Sequence, residues 1–169
     1  MLSIGKVRPG GEDYYLREVT GPEDYYLGAG ETPGRWIGSA SGELGLSGEV
    51  GREDLTAVLA ARSPLDGSSL TGRKVSPDRH VPAFDVTFSA PKSVSLLYGL
   101  APQEVSEAVK ASHDEAVQDA LSYLEAHAAF TRRGRDGLHR IKTSGFVAAA
   151  FRQRTSRNGD PQLHTHLLT

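Results

Sequence analysis

A chain of 169 residues has room for one ordinary domain with a real core, and 38% hydrophobic against 24% charged residues fits a globular protein. No apolar run is long enough to span a bilayer and no signal-type apolar segment opens the chain, so a cytoplasmic protein is expected. With no cysteine, disulfides and thiolate chemistry are excluded, and any metal must use His, carboxylate or amide ligands. The net charge of −2 is unlike that of a nucleic-acid binder, but it is unevenly spread. The first 60 residues carry five basic and ten acidic side chains, whereas residues 132–169 carry eight basic and two acidic. Such a basic segment forms either a local phosphate-binding surface or a solvated charged face.

In chain order, a short echo comes first. Glu12-Asp13-Tyr14-Tyr15 returns as Glu23-Asp24-Tyr25-Tyr26. Residues 28–50, rich in Gly and Ser around Trp36, read as turns and short extended pieces. Leu55, Val58 and Leu59 predict a short helix, and residues 63–82 a loop. Phe84, Val86 and Phe88 alternate with Asp85, Thr87 and Ser89, the period-two pattern of a half-buried strand with Asp85 on its polar face. Pro91 then opens a helix carrying Val94, Leu96, Leu97 and Leu100 on its apolar side. Pro102 opens a longer one through about Ala128, with a stripe of Val105, Ala108, Val109, Ala116, Ala120, Leu121 and Leu124. Thr131 to Gly137 reads as a basic turn, Phe146 to Phe151 as a buried strand, and Leu163 to Leu168 as a last strand. Strands alternating with helices argue for an α/β or α+β sandwich, a sheet covered by helices.

Three constellations are candidates for chemistry. On a strand, His164 and His166 share one face at a spacing of roughly 6.5–7 Å, which lets two imidazoles converge on one ion. Ordinary polar strand residues are the alternative. The tyrosine pairs are either packing residues or nucleophiles; a tyrosine hydroxyl attacks phosphorus only with help from a base or a cation. Asp85 is a candidate for that base, for orienting a metal-bound histidine, or for capping the following turn.

Considered together, Met1-Leu2-Ser3-Ile4, the two Tyr-Tyr pairs, Leu44-Gly45-Leu46-Ser47-Gly48, the run from Asp85 to Ser95, Thr155-Ser156-Arg157 and the run from Asp160 to His166 resemble the TrwC/TraI-type (MobF) relaxases of the HUH endonuclease superfamily. The resemblance covers the chain from residue 1 to its end. It implies an α/β (α+β) two-layer sandwich, an antiparallel sheet with helices packed on it. It also implies that residues 1–169 are the N-terminal part of a single relaxase domain, with a C-terminal remainder and any helicase absent. The implied activity is site-specific nicking and rejoining of single-stranded DNA at a plasmid transfer origin. Tyr14 would be the principal nucleophile, Tyr25 the tyrosine of a later strand-transfer step, and Tyr15 and Tyr26 structural or DNA-contacting residues. His164 and His166 would hold a divalent cation. The implied partners are single-stranded DNA, accessory conjugation proteins and an export machinery, with the protein a monomer.

One position departs from the family pattern. The third metal histidine belongs eleven residues ahead of the His-x-His pair, and Gln153 stands there. A Gln carbonyl favours Mg²⁺ or Mn²⁺ over Zn²⁺ and binds less tightly than an imidazole. A working His₂Gln site, a weakened one, and a relic that binds DNA without cutting it all stay open. Without that histidine as partner, Asp85 is expected beside Tyr14. Lys92, Arg152, Arg154 and Arg157 are candidates for phosphate contact, and Trp36 for stacking on a base or for the core. His80, His113, His127 and His139 match no motif. An unpaired edge strand near Leu168 would be an aggregation hazard.

Overall fold

The computed structural model describes residues 1–8, 11, 14, 15, 33–71, 81–134, 138–156 and 158–169. The elements are β1 (Leu2–Lys6), β2 (Arg35–Ile37), a 3₁₀ turn (Ser41–Leu44), α1 (Arg52–Leu59), β3 (Phe84–Ser89), α2 (Lys92–Leu100), α3 (Gln103–Ala128), β4 (Phe130–Arg133), β5 (His139–Lys142), β6 (Ala148–Thr155) and β7 (Pro161–Leu168). Five strands form one antiparallel sheet in the order β1-β3-β7-β6-β2, and β4 and β5 form a separate two-stranded ribbon. This is the antiparallel sheet with helices packed on it that the sequence led us to expect.

Both faces of the sheet are covered, which is why β6 opens with four buried apolar residues, Ala148 to Phe151, instead of alternating. On one face Leu121 of α3 packs with Val86, Ala148, Ala150 and Leu167. On the other, Leu55 and Leu59 of α1 pack with Tyr15, Trp36, Ala149, Phe151 and Leu168. Gly34 lets the chain cross β6 closely: a Cβ there would fall 2.4 Å from the Phe151 ring. Trp36 is 8% exposed inside this cluster, so it is a core residue and not a base-stacking platform.

Several expectations need correction. Leu96, Leu97 and Leu100 of α2 are exposed, and the buried residue of that helix is Ser95. The helix meets β7 through small residues: Ser95 Oγ accepts from the Leu163 amide at 3.0 Å, and a Cβ on Gly99 would touch the Pro161 ring. Backbone proximity, not hydrophobicity, chose the face. In α3 the fully buried pair is Val117 and Leu121, four residues apart, while Ala108 and Ala116 face solvent. Thr131 to Arg133 of the expected basic turn lie in β4, which pairs with β5, and both strands are exposed, with the Arg140 guanidinium 3.6 Å over the Phe130 ring. Leu2–Lys6, assigned no element from sequence, is an edge strand paired with β3. Leu168 lies in the central strand between β3 and β6, so no unpaired edge arises there.

Candidate functional site

β3, β7 and β6 bring three rows of side chains onto one face. Thr87 pairs across with His166 and His166 with Phe151; Ser89 pairs with His164 and His164 with Gln153. Directly opposed residues in neighbouring antiparallel strands lie about 5 Å apart, so these registers place Gln153, His164, His166 and Asp85 within reach of one another. A register shift between Gln153 and Thr155 bulges β6 at this point, a device that re-aims a side chain at a sheet rim.

The histidines are held by their Nδ1 atoms. Nδ1 of His164 lies 2.8 Å from the Gln162 carbonyl, and Nδ1 of His166 lies 2.9 Å from Asp85 Oδ2. A carbonyl and a carboxylate only accept, so each Nδ1 carries the proton and Nε2 carries the lone pair. The two rings stand 5.1 Å apart at 72°. Both are shielded from water, His164 at 8% exposure. The two imidazoles, with Gln153 in register opposite His164, are the residues that could hold a divalent cation, and Asp85 and the Gln162 carbonyl fix the ring orientations. Among the described residues, no three His, Cys, Asp or Glu side chains converge to make a metal site without Gln153.

Asp85 is hydrogen-bonded to His166 and to Tyr15, the neighbour of Tyr14. The Tyr15 hydroxyl donates to Oδ2 at 3.0 Å and the Thr87 hydroxyl to Oδ1 at 3.2 Å. Burial alone pushes the Asp85 carboxyl up, but the hydrogen bonds from His166, Tyr15 and Thr87 outweigh it and hold the group below 3.8. Asp85 is therefore an anion that anchors His166. Tyr15 is buried, its ring 5.7 Å from His166 and 5.9 Å from Phe151. Tyr14 is 37% exposed, edge-on to Tyr15 at 5.0 Å and to His166 at 6.5 Å. Of the adjacent pair, the exposed member faces outward beside the histidines and the buried one braces the carboxylate.

The basic candidates divide. Arg152 points to the opposite sheet face, where it binds Asp114 of α3 at 2.5 Å. Lys92 donates to the Pro161 carbonyl at 3.1 Å, near the start of β7. Arg154 is half-buried beside the bulge. Tyr25, Tyr26, His80 and Arg157 lie outside the described residues. Thr87 escaped the sequence reading, although its place two residues after Asp85 on the same strand face could have revealed it. His113, unmatched to any motif, lies within 3.0 Å of Thr165 between the two histidines.

With this geometry in hand, the comparisons are decisive about class. The TrwC relaxase family model matches residues 8–169, and the chain belongs to that family. It is 38% identical over 169 residues to the multifunctional conjugation protein TraI of Escherichia coli K12, and 37% identical over 171 residues to another Escherichia coli TraI. A solved conjugative relaxase TrwC in complex with oriT DNA, copper-bound, superposes with a TM-score of 0.79 at 34% identity; a metal-bound TrwC–oriT complex gives 0.76 at 34%. The match covers 99% of this chain and 56% of each of those solved chains, but the chain spans only 9% of the TraI relatives.

Proposed function

We propose that this chain carries the catalytic face of a relaxase, a metal-dependent tyrosine transesterase that nicks single-stranded DNA at a plasmid transfer origin for conjugative transfer. The observation that carries this reading is the placing of an exposed Tyr14 ring 6.5 Å from His166, on the face where Gln153 opposes His164. The Tyr14 oxygen attacks the scissile phosphorus, forming a 5′-phosphotyrosyl bond as the bond to the 3′-oxygen breaks and that oxygen leaves as a hydroxyl. Because the phosphodiester is exchanged and not hydrolysed, the 3′-hydroxyl reseals it without a nucleoside triphosphate. Tyr25 takes the role of nucleophile in a later transfer step.

His164, His166 and Gln153 would hold the cation, Mg²⁺ or Mn²⁺ in preference to Zn²⁺ because one ligand is an amide oxygen. When bound, it supplies positive charge against the phosphate oxygens as charge builds in the transition state. Asp85 keeps His166 in the ligating tautomer, and Tyr15 keeps Asp85 in place. The exposed β4–β5 ribbon, with Arg132, Arg133, Arg140 and Lys142, is of a size and charge that a DNA major groove admits. Lys92, Arg154 and Arg157 are further phosphate contacts. Residues 1–169 form the N-terminal part of the relaxase domain, acting as a monomer in the cytoplasm with accessory conjugation proteins and an export machinery. No helix among the described residues is long and apolar enough to cross a membrane.

The Gln153 departure gives one competing reading, a relic that binds DNA without cutting it. Labelled single strands tiled over the protein's own transfer origin, incubated with Mg²⁺ or Mn²⁺ and run on a denaturing protein gel, separate the two. A covalent band from the natural chain supports the transesterase with a His₂Gln site. A band only after Gln153→His means the chemistry was inherited and then lost at one ligand, and DNA binding with no band from either protein leaves the relic.

A further inference from the structure

The sheet face turned away from the tyrosines has a cleft of its own. Alternation along β2 and β6 points Arg35, Ala150 and Arg152 to that side, and α3 closes over them with Lys110, Asp114 and Val117, leaving a cavity of about 210 Å³. Three cationic side chains and one carboxylate line it. The three cations differ in how they are held. Arg152, with its side chain only 12% exposed, is locked onto Asp114 at 2.5 Å. Arg35 stands 3.9 Å from the same carboxylate and its side chain is 53% exposed. Lys110 pairs at 2.8 Å with Glu107, one helical turn back, whose side chain is 58% exposed.

We propose that this cleft binds a phosphate group. Its lining carries three cationic side chains against one carboxylate, an excess of positive charge that suits a phosphate anion. The volume is below the roughly 300 Å³ at which small-molecule sites begin, so a phosphate group fits where a cofactor or whole nucleotide does not. An exposed pair such as Lys110–Glu107 contributes little, and the ammonium turns from Glu107 to an incoming anion at small cost. Arg152 is preorganised by Asp114, and its planar fork suits phosphate oxygens. The walls of Pro33, Val117 and Ala150 limit hydration of the anion. The phosphate belongs either to a DNA strand running over the β2 edge or to a small phosphorylated ligand, and the two are separable by experiment.

The test is a ¹H–¹⁵N NMR titration of the whole chain with inorganic phosphate, in parallel with fluorescence anisotropy of a labelled oligothymidylate. The double variant Arg35→Gln, Lys110→Gln serves as comparison, since both side chains are accessible and neither belongs to the core. Phosphate is expected to move the amides of Arg35, Trp36 and Lys110 to Asp114 while those of Tyr14 and Asp85 stay still. The double variant should bind it about tenfold more weakly or worse, the scale for losing a charge-assisted hydrogen bond. Shifts confined to the tyrosine face, or equal affinity in the variant, overturn the site. Given the loss, a parallel drop in oligothymidylate affinity assigns the phosphate to DNA, and unchanged DNA affinity assigns it to a small ligand.

Discussion

Neighbouring residues of β7 live in two different environments. Leu163, Thr165 and Leu167 are turned toward α2 and α3 and are almost wholly buried; His164 and His166 are turned toward the tyrosines and hydrogen-bonded through Nδ1. β6 repeats the division, with Ala148, Ala150 and Arg152 on the helix side and Gln153 opposite His164. One face thus fixes the position of the strands through apolar packing and an ion pair. The other uses the same backbone rigidity to hold two imidazoles and a carboxylate in fixed orientation, consistent with reactive groups being held best on strands braced from behind. The comparison predicts that substitutions on the two faces will separate activity from stability, even between adjacent residues.

The largest effect should come from Tyr14→Phe. Removing the oxygen proposed as the nucleophile should cost about 10³-fold or more in strand cleavage, with urea unfolding unchanged because the ring is partly exposed. Substantial cleavage by this variant would point to activated water or to another tyrosine. Next, Leu121→Ala on the helix face should lower unfolding free energy by about 2–5 kcal/mol, since the side chain is 0% exposed among Val86, Ala148, Ala150 and Leu167. A small loss in chemical denaturation would mean that the helix is loosely seated.

Asp85→Asn sharpens the comparison from the site side. The amide cannot accept from His166 as the carboxylate does, so Mn²⁺ affinity by calorimetry should drop about 10- to 100-fold. Unchanged affinity would remove Asp85 from the anchoring role. Gln153→His should act in the other direction, raising Zn²⁺ affinity relative to Mg²⁺ by about tenfold or more as an imidazole replaces an amide oxygen.

The smallest effect belongs to His113, behind the site. Burial lowers its pKa from 6.5, and the charge of Arg152 adds to this against the opposing charge of Asp114. The folded state therefore favours neutral imidazole. Its contribution to stability is complete above pH 6.5 and is lost as pH falls below that value toward the lower folded pKa. Replacing His113 by Gln should flatten this part of the stability–pH curve, measured by urea unfolding between pH 8 and pH 5 at intervals of about half a unit. An unchanged slope would assign the acid sensitivity to other groups.

Much of this was legible in the sequence because it obeys simple periods. The alternation around Asp85, the proline-led starts of α2 and α3, and the His-x-His spacing each follow from backbone geometry alone. What escaped depends on contacts between distant segments. Nothing local in Leu96, Leu97 and Leu100 says that α2 will approach β7 through Ser95 and Gly99. The β4–β5 ribbon has no apolar face to read, since its strands pair with each other and not with the sheet. The link from Asp85 to Tyr15 depends on which ring of an adjacent pair turns inward. Arg152 shows the same limit: near the site in sequence, it lies on the other face because strand neighbours point in opposite directions.

The central claim is that Tyr14 becomes covalently joined to DNA. The direct measurement is the intact mass of the protein after incubation with Mn²⁺ and an oligonucleotide spanning its transfer origin, followed by peptide mapping of the adduct. The account predicts a mass increase equal to the oligonucleotide fragment on the 3′ side of the nick, located on the peptide containing Tyr14. An adduct on another residue, or cleaved DNA with no adduct at all, would contradict it.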